Sequence, residues 1–286
     1  MQVGAAIVAT RSVVGEVGPA SLACLRYLLA LACLLPFAWA APGAVRVSWR
    51  DLPAVMLLGV GQFGLLIVLL NIGLQRVDAA TAALLFSSFP LLTLLVAAAL
   101  GHEPLTWRKT LGVALTLAGV ALALGPDALA AASTPPGDAT AISNEWLGKA
   151  AVLASALCGA VCSVLYRPYL RRYPALPVGV WAMAAAVTFL AVWAAFEQPL
   201  ARIGSVSTTG WAAIAFIGVS SGIGYFLWLW ALRHAAASRV TLFLSLSPVT
   251  AALLGAWWLH EAVAPRLWLA LLLVASGVTV AQGRRP

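Results

Sequence analysis

The sequence predicts an all-α integral membrane protein of ten transmembrane helices, arranged as two inverted five-helix repeats. The first observation is composition: 63% of the 286 residues are hydrophobic, only 9% are charged, and the mean hydropathy is +0.98. Soluble domains run near 45–50% apolar and about 25% charged. The second is length. Apolar stretches of about 20 residues recur along the chain, each able to cross a hydrocarbon core of about 30 Å as a helix, whereas the ten-residue alternating segments of a membrane β-barrel are absent. The third is self-similarity. At an offset of 158 residues, the separation of His102 from His260, Pro90 falls on Pro248, His102-Glu103 on His260-Glu261, Gly119 on Gly277 and Gly125 on Gly283. A repeat on this scale in an apolar chain points to a carrier built from two halves around a central site.

The predicted segments are 1–14, 18–41, 51–75, 77–100, 105–124, 146–170, 175–197, 208–232, 236–259 and 265–283. Prolines and charges occupy the gaps, as helix boundaries require: Pro42-Gly43 through Asp51, Gly101 through Pro104, Arg171 through Pro177, and Glu197-Gln198-Pro199. The halves are therefore 1–125 and 146–286, joined by a 126–145 connection rich in Ala, Ser, Thr and Pro. The first segment is too short to span a bilayer. Helix six begins near Trp146, and at the repeat offset its counterpart falls upstream of Met1, so the first helix reads as one entered part-way. A signal peptide is the competing reading, but it needs a basic region before the apolar run, and the first charge, Arg11, follows it.

The formal charge of +8 raises the question of nucleic acid, and its distribution answers it. With both ends inside, Arg46, Arg50, Arg108, Lys109, Arg167, Arg171, Arg172, Arg233, Arg239, Arg284 and Arg285 lie on the cytoplasmic side, eleven of the seventeen basic residues. The long gap carries Asp127, Asp138 and Glu145 and no Lys or Arg. The positive-inside rule places both termini in the cytoplasm of a multi-pass plasma (inner) membrane protein. Five helices per half, an odd number, then invert the second copy. Cys24, Cys33, Cys158 and Cys162 all lie in apolar segments and form no disulfide framework. Cys158 and Cys162 share a helix face, but with no His or further Cys to complete a metal site they read as packing residues.

Several residues stand out against this background. Pro90 and Pro248 sit mid-segment in helices four and nine at matching positions, each removing a backbone hydrogen bond, and read as a paired hinge. They free the carbonyls of Phe86 and Leu244. Ser87, Ser88, Ser245 and Ser247 either satisfy such local groups or face the cargo path. Gln62 and Asn71 in helix three are amides that need partners in hydrocarbon, and Gln62 is the candidate to line the path. Tyr166, Trp181, Tyr225 and Trp228 lie deep in helices six to eight and offer aromatic faces to a pocket or to the core. Trp39, Trp49, Trp107, Trp146, Trp211 and Trp268 fall at segment edges as interfacial anchors. Arg26 lies inside helix two, where it either snorkels to the interface or attracts a substrate carboxylate. No Asp or Glu falls in the middle of a segment, which favours gradient-driven export over tight coupling to protons or sodium.

Ten helices in two inverted halves, the run Leu22-Ala23-Cys24-Leu25-Arg26-Tyr27, the proline-centred Leu84-Leu85-Phe86-Ser87-Ser88-Phe89-Pro90 and Leu242-Phe243-Leu244-Ser245-Leu246-Ser247-Pro248, and the Glu103 and Glu261 steps before Gly-rich helices together resemble the EamA-type members of the drug/metabolite transporter superfamily. The Trp-Gly pair often found early in helix one is reduced here to Gly4 after Gln2-Val3. The resemblance implies alternating-access export of small metabolites, nearest to the aromatic and neutral amino-acid exporters, by a monomer or weak homodimer without cofactor or metal. A nucleotide-sugar, lipid-linked sugar or drug transporter of the same fold is the alternative. An intramembrane enzyme fits less well: neither His-Glu pair extends to H-E-x-x-H, and no G-x-S-x-G or P-loop is present.

Overall fold

The computed structural model describes residues 2–40, 47–102, 106–124, 139–197, 204, 206–235, 237, 240, 247–259 and 265–282. Among these residues there are ten helices and no strand: α1 Gln2–Val17, α2 Pro19–Ala40, α3 Leu52–Leu74, α4 Ala79–Ala99, α5 Trp107–Leu124, α6 Ala139–Arg172, α7 Ala175–Ala195, α8 Thr208–His234, α9 Ser247–Trp258 and α10 Pro265–Gln282. Six of them, α2, α3, α4, α6, α7 and α8, contain spans long and apolar enough to cross a membrane. The molecule is an all-α membrane protein.

Local chemistry fixes the helix ends. Gly18 adopts φ 99°, a left-handed conformation that favours glycine, and Pro19 opens α2 behind it. Asp78 caps α4, accepting from the Thr81 amide at 2.7 Å and the Thr81 hydroxyl at 2.8 Å. Gly101, at φ 70°, closes α4 with the His102 amide donating back to the Ala97 carbonyl at 2.8 Å. His102, half of the repeated His-Glu step, is thus the residue after a helix-ending glycine. Glu103, His260 and Glu261 lie outside the described residues.

The duplicated halves are visible in the packing. Shifted by the 158-residue offset, Trp107–Leu124 lands on Pro265–Gln282 end for end. These two helices pack chiefly on each other. A Cβ on Gly119 would lie 2.8 Å from the Ala270 carbonyl and 2.8 Å from Val274, while a Cβ on Gly277 would lie 2.6 Å from the Gly112 carbonyl and against Thr116. Gly112, Thr116 and Gly119 are the repeat partners of Ala270, Val274 and Gly277, so each half makes the same contact with the other. Elsewhere the partners interchange: α2 packs on α8 as α7 packs on α3, and α1 packs on α8 and α9 as α6 packs on α3 and α4. Lipid offers apolar groups as good an environment as protein does, so close backbone approach and dispersion, rather than hydrophobic burial, hold such contacts together.

Two helices are irregular at mid-length. In α3, Val60–Leu65 forms a π-turn that carries Gln62. In α4 the helix breaks between Ala79–Phe86 and Phe89–Ala99. The break is made by Ser87-Ser88 as much as by the proline: the Ser87 hydroxyl donates to the Leu84 carbonyl at 2.6 Å and that of Ser88 to the Leu85 carbonyl at 2.7 Å. Pro90 then occupies the first turn of the second piece, where its missing N–H costs little. Pro248 takes the same place as the second residue of α9.

Candidate functional site: a polar-tipped aromatic cavity

The irregularities converge on one cavity of about 340 Å³, within the roughly 300–1,000 Å³ of small-molecule sites. Its walls come from α1 to α4 and α8, with Val240 beyond them. On the apolar side Phe86, Phe89 and Trp228 form a continuous wall, with ring centroids 5.4 Å and 6.0 Å apart along the series. Tyr225 faces the same space and packs behind it on Phe63 at 4.8 Å and Tyr27 at 5.7 Å.

The polar groups are few and of opposite character. Arg26 is 8% exposed, and its Nε donates to the Ser221 hydroxyl at 2.7 Å. Ser221 in turn donates to the Ile217 carbonyl at 2.6 Å, so its lone pair is held toward the guanidinium. Ser221 lies at the midpoint of Thr208–His234, so the Arg26 side chain points into the depth of the bundle and does not snorkel to an interface. No carboxylate among the described residues meets it. Its other nitrogens are left for whatever enters the cavity. Gln62 is 3% exposed and its Oε1 accepts no hydrogen bond, while the Trp228 Nε1 donates none. The wall therefore holds a buried cation, an unused acceptor and an unused donor, each costly unless a ligand or water meets it.

Of the residues singled out in the sequence, Arg26, Gln62, Tyr225 and Trp228 line this cavity. Ser87 is fully buried and hydrogen-bonded within its own helix, the local role open to it. Tyr166, also fully buried, lies on α6 with its hydroxyl unpartnered. Trp181 is half-buried on α7, packed against the core. Neither helix reaches the cavity wall among the described residues. Ser245 lies outside the described residues. Asn71 donates to the Pro19 carbonyl at 2.8 Å, a tie between α3 and the α1–α2 turn. Cys158 donates to the Gly61 carbonyl at 3.4 Å, and no group of three His, Cys, Asp or Glu among the described residues is placed to hold a metal ion. Ser221, Phe86 and Phe89 were not foreseen as lining residues. The π-turn had no periodic signal, although the cluster Gly59, Gly61, Gln62 and Gly64 marks it in retrospect.

The pattern of the EamA-like transporter family matches residues 2–125 and again 146–281. The chain belongs to this family. Among its relatives, a probable terminal-alkyne amino-acid exporter of Streptantibioticus cattleyicolor is 32% identical over 242 residues, covering 82% of this chain and 74% of that protein. An uncharacterized transporter of Archaeoglobus fulgidus is 25% identical over 284 residues, covering 99% and 95%. The uncharacterized transporter YyaM of Bacillus subtilis is 26% identical over 249 residues, covering 86% and 79%. A solved crystal structure superposes with a TM-score of 0.71 at 23% identity over 98% of this chain and 94% of its own, a likeness of fold. As an EamA-like transporter, the protein is a membrane carrier of small molecules. Its cavity brings a guanidinium and aromatic rings into one lining.

Proposed function

We propose that this transporter exports small metabolites carrying a carboxylate and an apolar or aromatic side chain, amino acids foremost, by alternating access across the plasma membrane. It acts as a carrier and performs no covalent chemistry. The supporting observation is the pairing of Arg26 with Gln62 beside the Phe86, Phe89 and Trp228 wall. A planar guanidinium with free nitrogens matches a carboxylate. The Gln62 Oε1 suits an ammonium, and the rings suit a side chain. The exporter named for an amino-acid cargo supports the same class.

In this reading the halves 1–125 and 146–286 rock against each other about the 126–145 connection, and both termini are cytoplasmic. The cavity lining runs to Gln2, Ala231 and Val240, at the end of the bundle opposite the α1–α2 turn. On this reading that end is the cytoplasmic one, and the cavity lining extends toward it. The test is counterflow in proteoliposomes with a panel of aromatic, branched and cationic amino acids, nucleotide sugars and amine drugs. Counterflow by phenylalanine- or leucine-like zwitterions, and not by their carboxamides, is expected. Uptake of nucleotide sugars or amine drugs in their place would overturn the assignment.

A further inference from the structure

Two carboxylates tie the halves together at the α1–α2 end of the bundle. Glu197, two residues beyond α7, accepts from the Ala20 amide at 3.0 Å, the Ser21 amide at 2.9 Å and the Ser21 hydroxyl at 2.9 Å, all in the first turn of α2. Glu16, in the last turn of α1, accepts from the Ser207 amide at 2.9 Å and from its hydroxyl at 3.1 Å, at the start of α8. Gly210 stands over this second contact, where a Cβ would lie 2.9 Å from the Glu16 Oε2. Each carboxylate thus sits on the N-terminus of a helix from the other half, where backbone N–H groups and the helix dipole favour negative charge.

Three further ties at this end have a different character. Arg11 donates to the Leu74 carbonyl at 2.8 Å, Asn71 to the Pro19 carbonyl at 2.8 Å and Gln75 to the Val14 carbonyl at 3.4 Å. All three are within the first half. They clamp α1, α2 and α3 into one body, and the Glu16 and Glu197 bonds join that body to α7 and α8. At the opposite end the repeat partner of the α1–α8 tie is the α6–α3 tie. There Arg172 donates to the Asp51 carboxylate at 2.9 Å and Tyr173 donates to it at 2.7 Å. The place is the same, but the acid has changed helix.

We propose that Glu16 and Glu197 are the paired lock of the mouth at the α1–α2 end, released together when the cavity opens there. The chemistry suits a reversible lock. A carboxylate near the membrane surface exchanges helix N–H groups for water at small cost, so the closed state is specific without being irreversible. An amide keeps one acceptor and loses the charge.

The inference rests on the alternating-access reading, but its labelling test needs no cargo. In a background with the four native cysteines replaced, Thr10→Cys places a reporter on the cavity wall toward this end. A membrane-impermeant maleimide is applied to each side of oriented vesicles in turn. Glu16→Gln with Glu197→Gln is expected to raise labelling from the α1–α2 side about tenfold and to lower it from the other side, the signature of a shifted two-state equilibrium. Unchanged labelling from the α1–α2 side, or equal gains from both sides, overturns the lock. A second variant guards against misfolding: Glu16→Cys with Ser207→Cys, cross-linked, should abolish transport and recover it on reduction. Full transport with the cross-link formed also overturns the proposal. Failure of counterflow with every solute, alongside the expected labelling, would fault the cargo assignment and leave the lock standing.

Discussion

Replacing Arg26 by methionine should make the protein more stable and less active at once. A charged residue placed deep in a bilayer costs about 2.5–3.5 kcal/mol on insertion scales. Arg26 recovers part of that through a charged hydrogen bond to Ser221 at 2.7 Å, about 1.5 kcal/mol, and through its place 5.6 Å from the Tyr27 ring centroid, about 0.5 kcal/mol. The difference, about 0.5–1.5 kcal/mol, is the net cost of placing the charge at this site. Methionine fills similar volume without charge and leaves the Ser221 hydroxyl its bond to Ile217. Thermal unfolding in detergent should shift up by about 2–4 °C for each kcal/mol relieved. Transport of a carboxylate substrate should fall, with KM rising about ten- to a hundredfold as one charge-assisted contact is lost. Arg26→Lys keeps the charge without the planar fork and should fall between. The assay pairs scanning fluorimetry with proteoliposome uptake of radiolabelled phenylalanine. A variant that loses stability and activity in parallel would show Arg26 to be a structural residue, and one that keeps its KM would show that Arg26 does not bind the carboxylate.

Other outcomes follow from the geometry. Gly119→Leu or Gly277→Leu forces side-chain atoms into the Ala270 or Gly112 carbonyl and should lower stability by about 1–3 kcal/mol, measured by unfolding, with the cavity unaltered. Pro90→Ala alone should leave α4 broken, because the Ser87 and Ser88 hydroxyls still hold the break; spin-label distances from α4's first piece to its second would shorten or lengthen only when Ser87→Ala and Ser88→Ala are added. Hydrogen bonds from Tyr173 and Arg172 hold the Asp51 carboxyl below the usual carboxylate range. A depressed folded-state value means the stabilising contact is present above the unfolded pKa, near 4, and is lost as pH falls through the lower folded value. Asp51→Asn should therefore reproduce at neutral pH the loosening that strong acid produces in the parent, read by cysteine accessibility at the α3–α6 end.

Much of this architecture was legible in the sequence because membrane segments obey a length rule and because the second copy supplied a control for the first. The 158-residue register placed α5 and α10 end for end on the structure. The cavity was half legible. Arg26 and Gln62 declare themselves as polar groups in hydrocarbon, and Tyr225 and Trp228 share one helix with Ser221. Tyr166 and Trp181 looked equivalent, since depth along a helix says nothing about which face turns inward. Among the described residues their helices contribute no lining residue, and α6 backs the wall instead, its Gly159 set against the Phe89 ring and Leu66. Pro90 announced a break, but the hydrogen bonds that shape it belong to serines whose two possible roles the sequence left equal. The Glu16 and Glu197 contacts were hidden because they join residues nearly two hundred positions apart.

The contact between α5 and α10 is isologous in all but covalent connection: residue 112 meets 277 as 270 meets 119. One surface serves as its own complement. A polypeptide comprising α1 to α5 alone carries both sides of that interface, so two copies inserted in opposite senses have what they need to associate. Tethering the halves removes the entropic cost of finding the partner and frees each copy to diverge, as the acid that moved from one helix to its neighbour between the two mouths already shows. Substitutions at 112, 116 or 119 are accordingly constrained twice, once by their own neighbour and once by the symmetry their partner still keeps.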